Sequence, residues 1–66
     1  MNVANAIRTL ELLRNSTLLR RYKHYNLDTN RSETCYVFRN EATAEVWTVD
    51  CIGELRAEAR RLERLA

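Results

Sequence analysis

Between Ser32 and Leu65 the spacing of apolar residues changes from every second position to every third or fourth, and that switch most restricts the fold. Thr34-Cys35-Tyr36-Val37-Phe38-Arg39 and Ala44-Glu45-Val46-Trp47-Thr48-Val49 are rich in β-branched and aromatic side chains, which suit a pleated, half-buried surface. The polar stretch Asn40-Glu41-Ala42-Thr43 divides them, so they read as a β-hairpin with a short loop. Tyr36 and Phe38 share one face of the first strand, with Cys35, Val37 and Arg39 on the other. In the second strand Glu45, Trp47 and Val49 alternate with Ala44, Val46 and Thr48. Both faces carry apolar groups, and a two-stranded sheet is not stable alone in water, so helices or another subunit must cover it. Ile52, Leu55, Ala59 and Leu62 then recur at helical spacing, with Thr48 or Asp50 as the expected N-cap.

Residues 2–26 contain neither Gly nor Pro and are dominated by Ala, Leu, Arg and Ile, so helix is the expectation there. On a helical wheel Val3, Ala6, Ile7, Leu10 and Leu13 share one face, while Leu12 and Leu19 fall on nearly the opposite side. Two arrangements are open. One is a single long helix with two apolar faces. The other is a helix broken at Asn15-Ser16-Thr17, where poor helix formers meet and a second helical segment could be recapped. The lack of a strong breaker favours the first. Asn26 to Glu33 is polar and reads as a loop. The expected fold is therefore α+β, ordered helix–β-hairpin–helix (αββα), as one domain over residues 1–66.

A chain of 66 residues has room for one small core. Domains of this size bury only about 60% of the surface their unfolded chains expose, and a second subunit is a common remedy. A homodimer is thus expected, with Leu12 and Leu19 at its interface. No stretch reaches the roughly 18 apolar residues of a membrane span, and Asn2 to Arg14 lacks an apolar run of signal-peptide type. The expectation is a cytoplasmic protein with Cys35 and Cys51 reduced and no membrane partner.

The net charge is +2, but residues 1–31 hold Arg8, Arg14, Arg20, Arg21, Lys23 and Arg31 against only Glu11 and Asp28. Within that half, Arg20-Arg21-Tyr22-Lys23-His24-Tyr25 interleaves bases with aromatics. Such a run suits phosphate contacts with base stacking, or a protein interface anchored by Arg and Tyr. The composition matches no recognised DNA- or RNA-binding signature, so protein contact leads and nucleic acid is the alternative. Arg20, Arg21, Tyr22, Lys23 and Tyr25 are the candidate contact residues. His24, Cys35 and Cys51 have no zinc-ligand spacing. A nucleophilic Cys51 at a helix start would still need a base and an oxyanion site, and the chain has one His. The expectation is no enzyme and no cofactor.

In length and element order the chain resembles the bacteriophage head-completion protein family, whose small αββα fold also runs helix, hairpin, helix. Tyr36 to Phe38, Val46 to Val49 and the Leu55/Leu62 stripe occupy the comparable places. The resemblance implies the α+β class and carries no site with it. More broadly, the chain is similar to short bacteriophage early and accessory proteins that bind and disable a host factor. That likeness implies a phage or mobile-element regulator that inhibits a host protein by occupying its surface.

Overall fold

Asn2 starts the first helix, its side-chain oxygen accepting the Asn5 N–H at 2.8 Å. Helix α1 covers Val3–Leu13 in this computed structural model, which describes residues 1–66. Ala6 and Leu10 are fully buried, and Val3 and Ile7 pack beside them. The helix stops because Asn15 takes a left-handed backbone conformation, φ 47°, which Asn tolerates better than most residues.

Past that stop the sequence expectation of a continuous helix over 2–26 is corrected. Residues Ser16–Asn26 form strand β1, so the break at Asn15-Ser16-Thr17 leads into a strand and not into a second helix. Helix propensity spans well under 1 kcal/mol per ordinary residue, and tertiary context overrides it when a strand partner is available. That partner is β2, Arg31–Asn40, paired antiparallel from Ser16↔Asn40 to Asn26↔Arg31. The loop expected over Asn26 to Glu33 shrinks to Leu27–Asn30, with Asn30 also left-handed at φ 57°.

Strand β3, Val46–Val49, pairs with the other edge of β2, giving a three-stranded antiparallel sheet ordered β1-β2-β3. Helix α2, Ile52–Leu65, closes the chain. The fold is α+β, as expected. Its order is α-β-β-β-α, one strand more than the expected helix–β-hairpin–helix. Its N-cap is Cys51, not Thr48 or Asp50. The Cys51 Sγ accepts the Glu54 N–H at 3.4 Å while the Glu54 carboxylate accepts the Asp50 N–H at 3.3 Å. The first bond satisfies one of the unpaired N–H groups of the first turn, and the second ties Asp50, the residue before the cap, to the same turn.

Both helices lie on one face of the sheet, and the core forms between them. It comprises Ala6, Leu10, Tyr36, Phe38, Val49, Leu55 and Ala59, with Leu18, Trp47 and Leu62 packed against it. Phe38 stands opposite Leu18 on one side and Trp47 on the other. Its ring stacks on the Trp47 indole with centroids 4.4 Å apart and planes 11° from parallel. The indole N–H donates to Ser16 Oγ at 3.0 Å, and the Ser16 hydroxyl donates to the Arg14 carbonyl at 2.9 Å.

Asn40 fixes two turns together. Its side-chain oxygen accepts the Ala42 and Thr43 N–H groups, and its side-chain NH₂ donates to the Arg14 carbonyl at 3.2 Å.

Phe38→Ala should cost about 3–5 kcal/mol and leave so small a domain largely unfolded. Trp47→Phe keeps an aromatic stack but loses the bond to Ser16, a change of about 0.5–1.5 kcal/mol. Urea denaturation followed by circular dichroism measures both. A Phe38→Ala variant as stable as Trp47→Phe would contradict this placement of the core.

Candidate interaction surface on the first strand

Strand β1 is an edge strand, so one side of its backbone has no strand beside it. Its N-terminal end is held by the body of the protein. Ser16 is buried, Leu18 is half-buried, and the Leu18 N–H donates to the Glu11 carboxylate on α1 at 3.0 Å. The pairing with β2 then shifts between Leu18 and Arg20, an irregularity of the β-bulge kind with Leu19 as the extra residue. Beyond it Arg20, Arg21, Tyr22 and Lys23 are all exposed, as is Tyr25 at 55%.

Alternation along the strand divides these residues between two faces. Arg21 and Lys23 stand opposite Tyr36 and Thr34 and, with them, line a shallow groove of about 300 Å³ on the helix side. Tyr25, on the same side, donates its hydroxyl to the Asn30 side chain across the turn. On the open face, Arg20, Tyr22 and His24 form a row. The Arg20 guanidinium lies 5.0 Å from the Tyr22 ring centre, the Tyr22 and His24 rings are 6.3 Å apart, and His24 Nε2 is 3.3 Å from the Asp50 carbonyl.

Cys35 and Val37 are buried although they face away from the helices, and their cross-strand neighbours are Tyr22 and Arg20. The Cys35 thiol holds the Tyr22 phenol above its ordinary pKa of 10.0, through hydrogen bonding first and charge repulsion second.

All five candidate contact residues thus fall on one strand, which the sequence reading placed on a helix. Leu12 and Leu19 are exposed, at 78% and 47%. They do not share a helix face, because Leu19 belongs to β1. Each is instead the chain neighbour of a contacting residue, Glu11 and Leu18. The signal for this edge was Asn15, whose tolerance of left-handed backbone marks a helix end.

A second concavity, of about 360 Å³, lies where α2 meets β3 and is lined in part by Arg14, Trp47, Glu58 and Arg61. The Arg14 guanidinium sits 3.9 Å over the Trp47 ring and 3.7 Å from Glu58, and Arg61 hydrogen-bonds the same carboxylate. Its charges are therefore satisfied within the chain. The Cys35 and Cys51 thiols are free, no three His, Cys, Asp or Glu residues converge on one point, and no helix is long and apolar enough to cross a membrane. No family model, curated protein or solved structure matches the chain.

The Arg61 hydrogen bond is the main reason that the Glu58 carboxyl is held below its ordinary pKa of 4.5, and the Arg61 and Arg14 charges add to it. A depressed folded-state pKa gives stability that is present above the unfolded value and lost as pH falls through the folded one. Glu58→Gln should therefore be less stable than the parent near neutrality, and the gap should narrow below pH 4.5. Thermal melts across that range measure it; a gap independent of pH would show that the pair contributes nothing.

Proposed function

We propose that this chain is a non-enzymatic protein-binding module, a regulator of phage or mobile-element type that inhibits a host protein by occupying its surface. The supporting observation is the concentration of Arg20, Arg21, Tyr22, Lys23 and Tyr25 in exposed positions on one edge strand. Arg and Tyr combine large contact area with polar anchoring, which is why they dominate binding hot spots. A strand held in a sheet presents them with less entropy to lose than a mobile segment would.

A second reading rests on a different feature of the same strand. No acid interrupts β1 between Ser16 and Asn26, its bases lie on both faces of the sheet, and from Tyr22 onward β1 and β2 run past the end of β3 as a two-stranded ribbon. A ribbon of that kind fits the major groove of DNA. Phosphate-dominated binding weakens steeply with salt because each neutralised phosphate releases counterions.

A photo-cross-linking side chain at Tyr25 separates the two. The expected result is a protein adduct that survives nuclease, is competed by unlabelled protein and is lost in a folded Arg20/Arg21/Lys23→Ala variant. Submicromolar binding of a nucleic acid near physiological salt, lost in the same variant, would put the second reading first.

Homodimerisation is proposed through the exposed Leu12 and Leu19 at the junction of α1 with β1. Sedimentation equilibrium should give twice the 7.8 kDa chain mass, reduced to one chain by Leu19→Asp. The parent protein sedimenting as a single chain at micromolar concentration would exclude it.

A further inference from the structure

The backbone of β1 carries a requirement that its side chains do not meet. Half of the N–H and C=O groups of an edge strand point away from the sheet, and they are satisfied by water, by a nearby side chain or by another strand. The sheet has two such edges, and they differ. Strand β3 has four residues, while β1 has eleven. The start of β1 is closed by the Glu11 carboxylate on Leu18, which leaves the run from Leu19 to Tyr25 open.

We infer that this run takes an extended, acidic segment of a partner protein as a fourth strand. The inference rests on the protein-binding reading above and specifies the partner's chemistry. Strand addition gains affinity from main-chain hydrogen bonds and specificity from alternate side chains. Any strand laid along Leu19–Tyr25 brings its side chains beside Arg20 and Tyr22 on the open face and beside Arg21 and Lys23 on the helix face.

A second copy of β1 is a poor occupant. Antiparallel self-pairing about Arg21 sets that residue against its own copy, and self-pairing about Tyr22, the middle of the run, sets Arg21 against Lys23. Like charges directly opposite are destabilising. Edge bases of this kind guard natural sheets against self-aggregation. The same bases attract a strand whose carboxylates alternate between its two faces, since opposite charges across an interface select the partner and repel its competitors.

The experiment uses the full chain and a short synthetic peptide of Val and Thr with a central Glu-Glu-Thr-Glu run. Two controls accompany it, the same peptide N-methylated at alternate central residues and a version with Lys in place of Glu. Fluorescence anisotropy should show the acidic peptide binding at least about tenfold more tightly than either control. Hydrogen exchange should show new protection of outward-facing amides between Leu19 and Tyr25. In an Arg21→Glu/Lys23→Glu variant, which alters only exposed side chains, the preference should turn toward the Lys peptide.

Equal binding of the N-methylated peptide would overturn the inference, because charge would then act without strand pairing. So would failure of the acidic peptide to bind, or protection of the amides from Tyr22 to Tyr25, away from the Leu19 contact of the proposed dimer, that rises with protein concentration in the absence of peptide. Each of these leaves the cross-link at Tyr25 as an independent readout. Adducts there without peptide binding would retain the protein-binding reading and remove strand addition, whereas loss of both results would remove both.

Discussion

Phe38 is the contact on which the other packing depends. It lies in the central strand, fully buried, between Leu18 of β1 and the indole of β3. Both helices bury their small and aliphatic residues in the cluster that it shares with Tyr36. Ala6 and Ala59 are fully buried there, and residues without long side chains let helices approach a sheet that carries large rings. The Trp47 indole extends the same stack outward, ties Ser16 at the start of β1 by a hydrogen bond, and receives the Arg14 guanidinium on its face. A single aromatic layer thus joins all three strands and the end of the first helix.

That layer also sets where β1 can go. Ser16 and Leu18 are drawn into the body of the protein, and Asn40 hydrogen-bonds the carbonyl of Arg14, the C-cap of α1, which only Asn15 separates from the strand. The backbone of Glu41 reinforces the junction by donating to the Asn15 carbonyl at 2.8 Å. Beyond the bulge nothing apolar holds the strand from outside, and its charged residues emerge on both faces. The exposed surface and the core are therefore consequences of one register. Slipping β1 by one residue would turn Leu18 out to the open face and carry Thr17 or Leu19 inward.

Several features were legible from residue spacing. The faces of the β2–β3 pair, with Tyr36 and Phe38 sharing a side with Trp47 and Val49, follow from a period of two. The buried positions of α2, Leu55 and Ala59, follow from a helical period, as do Ala6 and Leu10 of α1. Cys51 as a helix cap was not legible, because a thiol is a weak acceptor and Asp50 beside it is the stronger candidate by residue type. The candidate contact residues were identified as a group by composition. Their arrangement on two faces of a strand, and Leu19 as a bulge residue, were not.

By itself the sequence determined the α+β class, the α1 and α2 stripes and the faces of one hairpin, because those patterns repeat over short distances and need only local backbone geometry. Only the tertiary structure decided the state of Ser16–Asn26. Leu18, Leu19, Arg20 and Arg21 are good helix formers, and nothing in their spacing excludes a helix. A strand obtains its hydrogen bonds from residues far along the chain, here from Arg31–Asn40, and buries Leu18 against Phe38 in doing so. The two outcomes differ in long-range pairing and not in local preference, which is why the edge strand that carries the basic and aromatic residues emerges only when the chain is folded.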